Sequence, residues 1–154
     1  MNALVLYDSM WDSTRLMAKA VGEGLAEGGA HVKLCWARGC HRSDVVTQVL
    51  DAGALVVGAP TLNNGLFPTL ADHLTYLRGL RPRNLVGAAF GSYGWSGEAV
   101  KEIEAYLTGM EVELVEEGVR VKWVPTDADL LRCRQLGSAV AQRMQQQIVA
   151  GGAL

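Results

Sequence analysis

Hydroxyl side chains crowd the segment Asp8-Ser9-Met10-Trp11-Asp12-Ser13-Thr14, where Ser9, Ser13 and Thr14 fall within six residues. The apolar run Ala3–Tyr7 precedes this segment, and a helix-period stretch follows it. Its far end is therefore a helix N-terminus, with unpaired N–H groups and the positive end of the helix dipole. Hydroxyls, free amides and that dipole together make a phosphate site that needs no lysine. Plain capping of a helix by Ser13 or Thr14 would use the same residues for structure alone. The segment lacks the G-x-x-x-x-G-K-[ST] pattern, so a nucleoside triphosphate with magnesium is not the ligand it suits.

Two further loops carry residues a core does not ask for. Pro60-Thr61-Leu62-Asn63-Asn64-Gly65 follows the apolar run Ala54–Ala59. Asn and Gly tolerate positive φ, so this loop can turn backbone N–H and C=O groups toward a ligand. Ser92-Tyr93-Gly94-Trp95-Ser96-Gly97 follows Leu85–Phe90 and sets two large aromatics among small residues. Tyr93 and Trp95 either lie against neighbouring loops or stack on a planar ligand. The Gly91, Gly94, Gly97 spacing is not the G-x-G-x-x-G of a dinucleotide site. A phosphate cradle, an adaptable polar loop and an aromatic loop together suit a flat ring ending in one phosphate, which is the shape of FMN.

The elements that must position these loops alternate along the chain. Continuous apolar runs at Ala3–Tyr7, Val32–Trp36, Ala54–Ala59 and Leu85–Phe90 read as strands buried on both faces. A fifth strand spans Val112–Val115 and Val119–Val124, interrupted near Glu116-Glu117-Gly118. Helical periodicity occupies Thr14–Leu25, Asp44–Ala52, Phe67–Leu80, Gly97–Leu107 and Asp127–Ile148. This pattern predicts one α/β domain over residues 1–150 with a frayed tail at 151–154. Its form is a three-layer sandwich, a five-stranded parallel sheet of order 2-1-3-4-5 with helices on both faces. Ligands of such sheets sit beyond the carboxyl ends of the strands at the topological switch point. The three loops lie there.

Composition narrows the function classes. The 154-residue chain is 49% hydrophobic and 19% charged, with a formal net charge of −2. No basic stripe interleaved with aromatics exists, so neither a nucleic acid nor a membrane surface is an expected partner. Nothing at the N-terminus reads as a signal peptide, and a cytoplasmic location is expected. Cys35, Cys40 and Cys133 show no disulfide framework and read as reduced thiols. Cys35, Cys40 and His41 fall short of four metal ligands, so no metal site is expected. His73 reads as a partly exposed helical residue, and no catalytic residue is assigned.

At the three loops the sequence resembles a known family. DSMWDST (8–14), PTLNNGLFPT (60–69) and FGSYGWSGEAV (90–100), with HRSD at 41–44, are similar to the C-terminal flavodoxin-like FMN domain of flavodiiron proteins. These comprise the rubredoxin:oxygen oxidoreductases and the nitric-oxide-reducing enzymes. The resemblance spans nearly the whole chain. It implies that Ser9, Met10, Trp11, Ser13 and Thr14 cradle the FMN phosphate. It implies likewise that Pro60, Thr61, Leu62 and Asn63, with Ser92, Tyr93, Gly94, Trp95 and Gly97, frame the isoalloxazine, and Asn64 and Gly65 can offer a backbone carbonyl to it. Flavodoxins carry Gly where this chain has Asp12, whose carboxylate suits a phosphate site only if it points to solvent.

The family pairs such a domain with a metallo-β-lactamase-like domain that binds two irons through a His/Glu/Asp cluster. With only His31, His41 and His73, this chain has no such cluster. The expectation is an electron-transfer module, incapable of terminal reduction alone, that passes electrons to a di-iron oxygen or nitric oxide reductase centre on another domain or chain. Rubredoxin or another carrier would be the donor, and self-association is compatible with this role. The alternatives are a free-standing flavodoxin-like carrier and an FMN-dependent NAD(P)H:quinone reductase. A phosphoacceptor receiver domain would need an Asp at the end of the third strand, where Ala59-Pro60 stands.

Overall fold

Residues 1–152 are described by the computed structural model. Strands β1 (Asn2–Tyr7), β2 (His31–Trp36) and β3 (Ala54–Gly58) form where the apolar runs predict them. A two-stranded hairpin follows, β4 (Thr61–Leu62) and β5 (Gly65–Leu66). Then come β6 (Val86–Tyr93), β7 (Glu113–Leu114) and β8 (Val119–Lys122). The helices are α1 (Ser13–Glu27), α2 (Arg42–Leu50), α3 (Pro68–Leu80), α4 (Glu98–Gly109) and α5 (Asp127–Gly151). Of the tail expected to fray, Gly151 still belongs to α5, Gly152 forms a turn, and residues 153–154 lie outside the described residues.

All pairings in the main sheet are parallel, in the order β2-β1-β3-β6-β7, with β8 also pairing with β6. The interrupted fifth strand is thus two short strands that pair with opposite ends of β6, Val86–Gly87 with β7 and Phe90–Tyr93 with β8. Alternate residues of β1 feed two separate cores. Leu4 and Leu6 pack with Val45 and Val49 of α2, Leu70 and Leu74 of α3, and Ile103 and Leu107 of α4. Ala3 and Val5 pack with Met17, Val21 and Leu25 of α1 and with Leu136, Val140 and Met144 of α5. A sheet buried on both faces this way needs strands with continuous apolar runs, as in Ala3–Leu6 of β1, Ala54–Gly58 of β3 and Val86–Phe90 of β6.

Helix α1 is held where its N-terminus can serve a ligand by close contact with α5. A Cβ on Gly24 would run into the Arg134 carbonyl, and one on Gly137 into the Val21 carbonyl. The two glycines let the helix backbones touch, so backbone contact joins side-chain packing in fixing the position of α1. At the far end, α5 opens with a capping box between Thr126 and Asp129. The hydrogen bonds from Thr126 hold the Asp129 carboxyl below its ordinary pKa.

Candidate functional site

Beyond the carboxyl ends of β1, β3 and β6 lies a cleft of ≈ 300 Å³. Met10, Trp11 and Ser13 line it from the first loop, Pro60 and Thr61 from the second, and Ser92, Tyr93 and Gly94 from the third. The three segments singled out in the sequence therefore do converge on one space. Two further residues complete the wall, Trp123 and Val124, which the sequence reading passed over. They follow the carboxyl end of β8, so the strand-end rule extended by one strand would have found them.

The first loop is held by a buried carboxylate. Asp8, fully buried, follows β1 and accepts four donors. Its Oδ1 takes the Ser9 N–H at 2.7 Å, the Trp36 indole N–H at 3.1 Å and the Arg38 Nε at 2.9 Å. Its Oδ2 takes the Thr69 hydroxyl. Arg38 also donates to the Ser9 carbonyl, and its guanidinium lies over the Trp36 ring at 5.2 Å. Such charge-assisted bonds compensate the burial of the carboxylate. Three stretches distant in sequence, 8–9, 36–38 and Thr69, meet at one side chain, which is why no motif announced it.

The turn bearing Arg38 is itself tied down. His73, expected to be partly exposed, is buried, and its Nε2 donates to the Ala37 carbonyl at 3.1 Å. Cys35 and Cys40, read from the sequence as unpaired thiols, are joined by a disulfide. The short 3-10 turn at Ala37–Gly39 folds the chain back and brings their Cα atoms to 6.7 Å, a return that spacing alone did not reveal. Cys133 is a buried packing residue of α5, and desolvation pushes its thiol pKa up to about 12.

At the phosphate-cradle end, the N-terminus of α1 has no side-chain cap. Neither Ser13 nor Thr14 plays the capping role the sequence left open. Thr14 is buried, and its hydroxyl meets that of Ser92 at 2.8 Å, joining the first loop to the third. Ser9 Oγ is buried with no partner. An uncapped helix start beside an orphaned hydroxyl is a donor set without an acceptor, and it fits a phosphate group. Asp12 adopts a left-handed conformation at φ 65°, which explains why glycine is at home there. Its carboxylate stays exposed and accepts a bond from Arg15 Nε at 2.9 Å, which raises the Arg15 pKa.

The ring-framing side is built differently. Asn63 and Asn64, at φ 50° and 60°, make a two-residue turn that folds the second loop into the β4–β5 hairpin. Strands of two residues have no hydrophobic period to read, so the sequence showed a polar loop and not a hairpin. Thr61 reaches the cleft, whereas Leu62, Asn63, Asn64 and Gly65 lie along the hairpin outside its wall. Gly97 precedes α4, away from the wall. Trp11 is 87% exposed, Trp95 93% and Trp123 67%. Free indole faces of this kind around a cleft can cover a flat apolar ring. Trp123 lines the cleft from a strained backbone at φ 67°, its N–H held by the Tyr93 carbonyl at 2.8 Å.

Among the described residues, no group of three or more His, Cys, Asp or Glu side chains is placed to hold a metal ion. No helix among them is long and apolar enough to cross a membrane.

Comparison with known proteins now bears on this geometry. The family model described as Flavodoxin matches residues 5–137. A protein named nitric oxide reductase from Moorella thermoacetica is 47% identical over 143 residues, which cover 92% of this chain and 36% of that protein. The solved structure of rubredoxin oxygen:oxidoreductase from the anaerobe Desulfovibrio gigas superposes with a TM-score of 0.94 at 42% identity, over 96% of this chain and 37% of that one. An archaeal flavodoxin structure aligns over 94% of this chain and 99% of its own, with a TM-score of 0.86 and 30% identity. The chain thus spans little more than a third of the oxidoreductases it matches, and nearly all of the small flavodoxin.

Proposed function

Because the chain belongs to the flavodoxin family and matches the flavodoxin-like part of flavodiiron proteins, we propose that it is an FMN-binding electron-transfer module serving a di-iron oxygen or nitric oxide reductase centre on another domain or chain. FMN is the cofactor of this family, and when bound it supplies the one- and two-electron chemistry. The observation that carries the reading is the uncapped start of α1, where Ser13 lines an aromatic-walled cleft, preceded in the same loop by the unpartnered Ser9 hydroxyl.

The chain's own residues bind, orient and shield. Ser9, Ser13 and the first amides of α1 hold the phosphate, with Met10 and Trp11 closing over it, and Asp8 with Arg38 keeps that loop in shape. Thr14 and Ser92 lock the phosphate loop to the aromatic loop, so the two ends of the ligand are held at a fixed separation. Pro60, Thr61, Tyr93, Gly94 and Trp123 exclude water from one face of the ring, and Trp95 stands free at the rim. Leu62, Asn63, Asn64, Gly65 and Gly97 act through the backbone that carries these contacts. An apolar, water-poor wall disfavours added negative charge on the ring and so favours electron donation.

Rubredoxin or a similar small carrier is the donor we place upstream, in the cytoplasm, and self-association fits the same scheme. The archaeal flavodoxin match keeps a free-standing carrier as the second reading. Electron delivery tests the proposal. The FMN-loaded chain, reduced with dithionite, should be oxidised by a di-iron domain without its own flavin. The same chain should not turn over NADH with a quinone. Rapid NADH:quinone turnover with no delivery to the di-iron domain would overturn it.

A further inference from the structure

The β4–β5 hairpin is too small to hold its own shape. Its ladder is Thr61 with Leu66 and Leu62 with Gly65, and a two-stranded hairpin of this size is not stable in water by itself. Its position comes from three tethers reaching across from the α4 side. The Ala99 N–H donates to Thr61 Oγ1 at 3.3 Å, Ser96 Oγ donates to Asn64 Oδ1 at 2.9 Å, and the Leu66 N–H donates to Glu102 Oε2 at 3.0 Å. The first two arise at the loop preceding α4 and at its first turn. Only the third reaches the hairpin from beyond the first turn of the helix, and only it uses an ionisable acceptor.

Glu102 also fits against the hairpin's other end. A Cβ at Gly65 would come within 3.3 Å of Glu102 Oε1, tighter than ordinary contact, so the absence of a side chain at 65 lets the carboxylate lie against the strand. Gly65 is not among the positive-φ residues, so its role here is space and not backbone conformation. Glu102 touches no wall of the cleft, whereas Thr61, the direct ladder partner of Leu66, does.

We propose that Glu102 is a positioning residue for the cofactor: it fixes the hairpin through the Leu66 amide, and thereby sets how the Pro60–Thr61 wall meets the flavin and how differently the oxidised and reduced forms bind. This inference rests on the reading of the cleft as an FMN site. Because α4 begins directly after the aromatic loop, the tether also makes the second and third loops move as one unit.

Three variants test it. Glu102→Gln keeps an acceptor oxygen for the Leu66 N–H, Glu102→Ala removes it, and Gly65→Ala crowds the carboxylate, which must shift by a few tenths of an ångström. In the FMN-free chain, amide exchange at Leu66 should quicken at least tenfold in Glu102→Ala and stay within about threefold of wild type in Glu102→Gln. With FMN, the ratio of dissociation constants for the oxidised and reduced cofactor should change by about tenfold in Glu102→Ala and by a smaller factor, in the same direction, in Gly65→Ala. It should stay near wild type in Glu102→Gln, and the double variant should add nothing to the Glu102→Ala change. Unaltered Leu66 exchange in Glu102→Ala would overturn the tether, and multiplying effects of the two lesions would overturn the shared mechanism. A wild-type chain that takes up no FMN would instead overturn the reading beneath it, whatever Leu66 does.

Discussion

The two ends of the cleft are built on opposite principles. At the phosphate end, a single buried carboxylate gathers four donors from the first loop, β2, the turn after it and α3. The helix behind that loop is fixed in part by backbone contact with α5. At the ring end, a four-residue hairpin is tethered to α4 and the loop before it, and two tryptophans, Trp95 and Trp123, stand mostly in solvent. A buried carboxylate with all its bonds made is rigid and costly to break, whereas exposed loops can adapt. The contrast divides the work. In the proposed function, one end would anchor a ligand group that never changes, and the other would meet a ring whose charge changes with every electron and whose edge must face a partner.

Removing Asp8 should break the comparison most severely. Asp8→Ala strands the Ser9, Trp36 and Thr69 donors, and breaking a buried ionic network costs about 3–5 kcal/mol. The chain should melt on the order of 10 °C lower and lose measurable FMN binding, as thermal scans and fluorescence titration would show. Asp8→Asn retains one acceptor and should fall between the two. At the ring end, Trp123→Gly should separate stability from binding. Releasing a bulky residue from φ 67° removes about 1 kcal/mol of backbone strain, while losing a stacking face costs roughly tenfold in FMN affinity. A variant that melts no lower yet binds FMN more weakly would mark this end as functional and not structural. The smallest effect belongs to Asp12→Gly. Losing a carboxylate near the phosphate should tighten FMN binding by about threefold at low salt, and the gain should vanish at high ionic strength.

The same contrast governs what the sequence let one read. Buried parallel strands are apolar runs, so Ala3–Tyr7, Ala54–Ala59 and Leu85–Phe90 announced the sheet and its order, and the strand-end rule then located three loops that do converge. Even the break at Glu116-Glu117-Gly118 was visible, because charge and glycine interrupt a core-facing run. The supporting contacts were not visible. Asp8, Arg38 and Thr69 meet only because three elements end at one point, and nothing in their local spacing shows it. His73 and the Cys35–Cys40 pair were misread for the same reason: a 3-10 turn brings distant or backtracking residues together without a periodic signal. The hairpin at 61–66 is shorter than any period, although its Asn63-Asn64 turn was there to be read.

The central claim is that the cleft is shaped for a flat ring carrying a single phosphate, with the phosphate held by Ser9 and the open start of α1. Calorimetric titration of the flavin-free chain with FMN and with riboflavin tests it most directly. The account predicts one FMN per chain, riboflavin weaker by at least a hundredfold, and a Ser9→Ala variant in which that gap narrows. Equal affinity for the two flavins, or no binding of either, would contradict it.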